Sequence, residues 1–121
     1  MSYDNQNIFA KILRGEIPCN KIYEDDYVLS FYDINPQKKI HALLIPKGKY
    51  IDLDDFNSNA SNDEIVGLMK GITTVSKKLG ISSIDGKGYR ALANISDYGG
   101  QEVPHLHFHL FGGEKVGKMV S

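Results

Sequence analysis

With 121 residues, 41% hydrophobic and 24% charged, the chain has the makeup of one soluble globular domain that buries a core without staples. Its formal net charge of −1 builds no field toward nucleic acid or a membrane surface, and no stretch approaches the ~20 apolar residues of a membrane span. A lone cysteine, Cys19, excludes a disulfide framework or a CxxC pair, and without a signal-peptide core the cytoplasm is the expected compartment.

The chain opens on a helical pattern over Asn5–Glu16. Ile8, Phe9, Ile12 and Leu13 share one apolar face there, and Gly15 and Pro18 end it. By spacing alone these are core residues. Lys21–Glu24 and Tyr27–Tyr32 read as strands, joined as a hairpin through Asp25-Asp26. Asn35-Pro36 breaks the second strand and leaves Asp33 at a loop mouth. A carboxylate there either caps a turn or accepts two sugar hydroxyls. Ile40–Pro46 is a nearly continuous apolar run, the pattern of a central strand. His41 is the only polar side chain inside it, so it is paired or functional.

Asp52–Ala60 reads only as a polar stretch. Ser61 and Glu64 form a capping-box pattern that opens a helix over about Asn62–Leu79, with Ile65, Leu68, Met69, Ile72, Val75 and Leu79 on one face. This helix covers a sheet and carries no chemistry. Gly88–Ile95 is a fourth strand, with Asn94 at its end. The loop Ser96–Gln101 follows, where Gly99 and Gly100 let backbone amides approach a ligand.

Pro104–Gly113 then sets His105, His107 and His109 in alternation with Leu106, Phe108 and Leu110. As a fifth strand, antiparallel to the fourth, it places three imidazoles in one row about 6.6 Å apart, over about 13 Å, and three apolar side chains in a core. Asn94 falls near the row. Glu114–Ser121 is a short tail or a partner-contacting arm.

A row of one titratable residue points to a metal site or to nucleophilic and acid–base chemistry on an anion. Zinc needs three or four donors converging at about 2.0–2.1 Å, and the outer histidines of a flat strand splay too far apart. His41 could complete a set, but no Cys or Glu of suitable spacing accompanies it, and no metal is assigned. A neutral imidazole attacking phosphorus, with neighbouring imidazoles protonating the leaving group, fits better. No Walker-type glycine loop is present.

His105–Phe111 reads His-φ-His-φ-His-φ-φ, with φ apolar. With it the chain resembles the histidine triad (HIT) superfamily. Through Ile8–Pro18, Phe31–Lys47, Gly88–Asn94 and Gly99–Gly113 it is similar to the Hint branch, over a core of about residues 8–113 in a single 1–121 domain whose tail is 114–121. The resemblance implies an α+β fold: a five-stranded antiparallel sheet with one long and one short helix, joined to a second sheet across a homodimer. It implies hydrolysis of the P–N bond of purine nucleoside phosphoramidates of the AMP–amine type. The partner is then a purine nucleotide (AMP or GMP type), with no cofactor, nucleic acid or membrane.

By motif position, His107 is implied as the nucleophile forming a nucleotidyl-histidine. His109 would contact phosphate and help protonate the leaving group, His105 would support the triad's hydrogen bonds, and His41 would orient the site. Asp33 is implied at the ribose hydroxyls, and Ile8, Phe9, Ile12, Phe31 and Ile34 at the base. Asn94 and the segment Gln101, Glu102, Val103 are implied on the phosphate side. Glu102 stands where animal Hint members carry a serine, and the tail lacks their tryptophan. Two alternatives are a purine nucleotide-binding or interaction module with vestigial activity and a dinucleoside polyphosphate hydrolase.

Overall fold

Alternation along the strands decides the layering. The computed structural model describes residues 2–120; Met1 and Ser121, the two ends of the expected domain, lie outside the described residues. The elements run α1 (Ile8–Leu13), β1 (Lys21–Glu24), β2 (Val28–Tyr32), β3 (Ile40–Pro46), α2 (Leu53–Asn59), α3 (Asn62–Lys78), β4 (Arg90–Leu92) and β5 (Phe108–Gly112). The strands form one antiparallel sheet in the order β1-β2-β3-β5-β4. β3 is central, as its apolar run demands: Leu43 pairs with Phe31 on one side and His109 on the other.

Val28, Ala42, Leu44 and Leu110 turn to one face, where they join Leu106 and pack on Leu68, Ile72 and Val75 of α3. Leu29, Phe31, Leu43 and Ile45 turn to the opposite face and pack on Phe9 of α1. His41 and His109 share the parity of this second face. The sheet therefore carries its structural helix on one side and its imidazoles on the other. The capping box of α3 forms as expected between Ser61 and Glu64. Gly67 lets α3 lie close to the hairpin, since a Cβ there would come within 2.8 Å of the Tyr27 ring.

Several elements differ from expectation. The last strand begins at Phe108, so of the three histidines only His109 lies in it. Upstream, the His105 N–H bonds to the Val103 carbonyl and the Leu106 N–H to the Tyr50 carbonyl, both at 2.9 Å. These bonds tie the segment to a loop instead of a neighbouring strand, because the β3–β5 ladder ends at Leu44 and Phe108. Sidedness survives without the ladder, with Leu106 in the α3 core. β4 is shorter than Gly88–Ile95, and the backbone turns at Ser96, whose φ is 60°. Antiparallel pairing of β4 with β5 is as expected.

The polar stretch 52–60 holds a helix, α2, so the described residues form two short helices beside the long one. Asp52 caps α2 by accepting the Asp55 N–H at 2.8 Å, and buried Phe56 with half-buried Leu53 anchors it in the core. Two apolar residues one turn apart are too few to show a period. α1 is trimmed to Ile8–Leu13, between the Asn7 cap and Gly15 at φ 78°. The tail docks on its own chain. Arg90 donates to the Gly117 and Lys118 carbonyls at 2.9 and 3.0 Å, and the Lys39 N–H donates to Glu114 at 2.6 Å.

Candidate active site

Hydrogen bonds fix where each ring proton sits, because a carbonyl only accepts and a backbone N–H only donates. The Gln37 N–H donates to His41 Nδ1 at 3.2 Å, so a neutral His41 keeps its proton on Nε2. That Nε2–H lies 2.9 Å from His109 Nδ1 and 3.4 Å from an Asp33 carboxylate oxygen. His109 therefore accepts at Nδ1 and carries its own proton on Nε2. His107 is the opposite tautomer: its Nδ1–H donates to the His105 carbonyl at 2.7 Å, which leaves a lone pair on Nε2. His105 donates from Nε2 to the Pro46 carbonyl at 2.9 Å and accepts at Nδ1 from the Tyr3 hydroxyl at 2.6 Å.

The His107 and His109 ring centroids are 5.1 Å apart. Their free Nε2 atoms have no hydrogen-bond partner among the described residues, yet no side-chain nitrogen there is both buried and unpartnered. Both nitrogens therefore reach solvent. Burial lowers the pKa of all four histidines, and for His105 and His109 to about 4. Asp33 opposes the burial effect on His41, as the bonded His105 carbonyl does on His107. The rings are thus neutral near pH 7, as nucleophilic and proton-transfer roles require.

Asp33 sits at the mouth beside β2. One of its oxygens faces His41, and the other accepts the Asn35 N–H at 2.8 Å, which makes the turn before Pro36. Asp33, His41 and His109 also converge closely enough to hold a metal. A tetrahedral zinc with nitrogens about 2.0–2.1 Å away would hold its donors roughly 3.3 Å apart. The 2.9 Å between His41 and His109 is a hydrogen-bond spacing instead. With His41 Nδ1 occupied by Gln37, this donor set fits a proton path better than a metal cage.

The other expected site residues fall into three groups. Phe9 is buried and lies edge-on to His107, with centroids 5.0 Å apart, and Phe31 lies against Phe9 at 5.7 Å. Ile8 and Ile34 are exposed and Ile12 is half-buried. Asn94 lies two residues beyond Leu92, which pairs with His109, and is half-buried. The Gln101 side chain braces its loop: it accepts the Ser96 N–H at 3.0 Å and donates to the Ile51 and Val103 carbonyls at 2.6 and 2.9 Å. Glu102 beside it is exposed, and Val103 packs on the α1-side core. Cys19 also packs there, and burial pushes its thiol pKa up.

Three contacts are absent from the sequence reading. Tyr3 reaches His105 across 102 residues, a distance no local pattern spans. Gln37 acts through its backbone, which its residue type does not signal. Phe111 stacks on His109 at 5.7 Å and lies 4.3 Å from the His41 ring, and it did have a signal as the next same-face position after His109. A cavity of about 1060 Å³ between loop 80–89 and tail residues 113–117 includes none of these groups.

The HIT domain family model matches residues 14–116. The chain belongs to the HIT domain family. A HIT-like protein of Azospirillum brasilense is 48% identical over 120 residues, covering 99% of this chain and 96% of that protein. The Escherichia coli protein named purine nucleoside phosphoramidase is 40% identical over 116 residues, covering 96% and 94%. A HIT family hydrolase structure from Clostridium thermocellum superposes with a TM-score of 0.84 at 35% identity, covering 98% of this chain and 99% of that chain.

Proposed function

We propose that this HIT domain protein is a nucleotide hydrolase that cleaves the P–N bond of purine nucleoside phosphoramidates through a nucleotidyl-histidine on His107. The observation that carries this reading is the pair of opposite tautomers. His107 presents a lone pair and His109 presents a proton, from rings 5.1 Å apart. That is the complement needed to form one bond at phosphorus while protonating the group that leaves it. The similarity to the Escherichia coli phosphoramidase supports the substrate class.

In this reading the site takes up one proton with the anionic substrate, shared by the His41–His109 pair. His107 Nε2 attacks phosphorus, and the P–N bond breaks as His109 Nε2–H protonates the departing nitrogen, which leaves as an amine. Water then attacks the nucleotidyl-histidine. Its proton passes to His109, and the nucleoside monophosphate leaves. The ribose lies at Asp33, and the base lies against the apolar mouth formed by Ile8, Phe9, Ile12, Phe31 and Ile34. Asn94 and the backbone of Gln101–Val103 face the phosphate. The protein acts in the cytoplasm as a homodimer, joined through an open sheet edge, and β4 is one of the two such edges.

The test is release of AMP from adenosine monophosphoramidate by wild type and His107→Ala, each with and without EDTA. Turnover that survives EDTA and falls more than about a thousandfold in the variant is expected. EDTA-sensitive turnover, or a variant of undiminished rate, contradicts the mechanism. Tight AMP binding with no turnover of any phosphoramidate would favour a binding module.

A further inference from the structure

We propose that Tyr3 is a positioning residue for His107, acting through His105; the kinetic part of this inference rests on the reading of His107 as nucleophile. His105 is fully buried, and both its ring nitrogens are committed. Its Nε2–H is bonded to the Pro46 carbonyl at the end of β3. Its Nδ1 therefore needs a donor, and the Tyr3 hydroxyl supplies one at 2.6 Å. The two rings meet edge-on, with centroids 5.6 Å apart. A ring held at both nitrogens fixes its own backbone, and it is the His105 carbonyl that accepts the His107 Nδ1–H. Tyr3 thus stands two steps from the nucleophile. The Pro46 carbonyl sets the His105 tautomer, and the Tyr3 hydroxyl, donating to Nδ1, holds that ring in place and with it the carbonyl that selects the lone pair on His107 Nε2.

Asp4, the residue after Tyr3, is itself held. The Asn7 amide donates to the Asp4 carbonyl at 2.7 Å, and the Gln6 N–H donates to the Asp4 carboxylate at 2.8 Å. Asn7 then caps α1 by accepting the Ala10 N–H at 2.9 Å. The segment before the helix is a strap whose tip is the Tyr3 hydroxyl and whose other end delivers Phe9 to the His107 ring. Without the hydroxyl, a buried lone pair on His105 Nδ1 has no donor, which is costly. The ring can relieve this by turning, which releases Pro46, leaves the tautomer unselected and shifts the carbonyl beneath His107.

Tyr3→Phe keeps the aromatic edge and removes only the hydroxyl. The expected result is a kcat about tenfold to a hundredfold lower with KM unchanged, as for loss of an outer partner or a misplacement of about 1 Å. Nitrogen-15 NMR of the histidines adds a readout that needs no substrate. Wild type is expected to show one tautomer each for His105 (Nε2–H) and His107 (Nδ1–H), and the variant a mixture at both. Unchanged tautomers with wild-type kcat, even with a lower melting temperature, would overturn the proposal. If wild type turns over no phosphoramidate, the reading of the reaction fails, and the tautomer spectra still decide whether Tyr3 positions His107.

Discussion

His41 Nε2 lies 2.9 Å from His109 Nδ1, and this contact leaves His109 with its proton directed away from His41. The Gln37 N–H on the far nitrogen of His41 makes that direction one-way in the ligand-free protein. A ring supplied by its neighbour at one nitrogen donates from the other, so in the proposed reaction the pair acts as one acid.

The consequence is a dependence on the leaving group. His41→Phe keeps a ring in the buried slot and removes the Nε2–H. Turnover of phosphoramidates of basic alkylamines, which must be protonated to leave, is expected to fall about 10²–10⁴-fold. Turnover of those with poorly basic aromatic amines is expected to fall far less. Plotting kcat against amine basicity for wild type and variant checks this. An equal fall across the series would mean that His41 only packs.

Acid stability tests the buried neutral rings. His105 and His109 hold folded-state pKa values of about 4, below the unbonded imidazole value of 6.5, because burial disfavours their charge. Between about pH 6.5 and 4 the unfolded chain therefore binds protons that the folded chain does not. Stability is full above that window and declines as pH falls through it, by on the order of 3 kcal/mol for His105. Glu24, held at about 2 by Lys21 and then Lys47, adds its loss only below the ordinary carboxylate range. Urea midpoints at about pH 7 and 4.5 check the histidine window, and a flat profile would show that these rings charge without penalty.

How much of this was legible in the sequence depends on the range of each interaction. β3 and α3 were readable because apolar period and capping are local. The two-sidedness of residues 105–110 was readable too, because Leu106 and Leu110 needed a core. The strand itself was not: His105 and His107 lie beyond the ladder, in a segment whose Leu106 N–H bonds to Tyr50 and whose His105 ring bonds to Pro46, contacts between segments distant in sequence. Residue type is silent on a side chain that braces its own loop, as that of Gln101 does, and on a backbone N–H that makes the contact, as at Gln37. Glycine rules show only that the 96–101 loop turns tightly; at Gly99 a side chain would overlap the Ile95 carbonyl.

Glu102 bears on affinity. It is exposed, and its charge adds to the effects that hold up the His107 pKa against burial. A carboxylate near an anionic substrate repels it, and exposure makes the repulsion weak and screenable. Glu102→Ser is expected to lower KM for adenosine monophosphoramidate roughly two- to fivefold in dilute buffer, shrinking toward none at about 1 M salt, where the screening length is about 3 Å. A KM unmoved at low salt would place the carboxylate out of range of the phosphate.

Gln101 separates a bracing residue from a ligand contact. Its amide nitrogen donates to two carbonyls, Ile51 and Val103, while its oxygen accepts the Ser96 N–H. Gln101→Glu preserves shape and the acceptor but turns a donor into an anion facing two carbonyl oxygens. The loss expected is about 1–3 kcal/mol of stability, from unpaired partners and a poorly solvated charge. Because the carboxylate is neutral when protonated, the deficit is expected to narrow below about pH 4, the ordinary carboxylate range. Denaturant melts of the variant and wild type at about pH 7 and pH 3.5 measure both effects. Stability equal to wild type at the higher pH, with a raised KM, would instead make Gln101 a substrate contact.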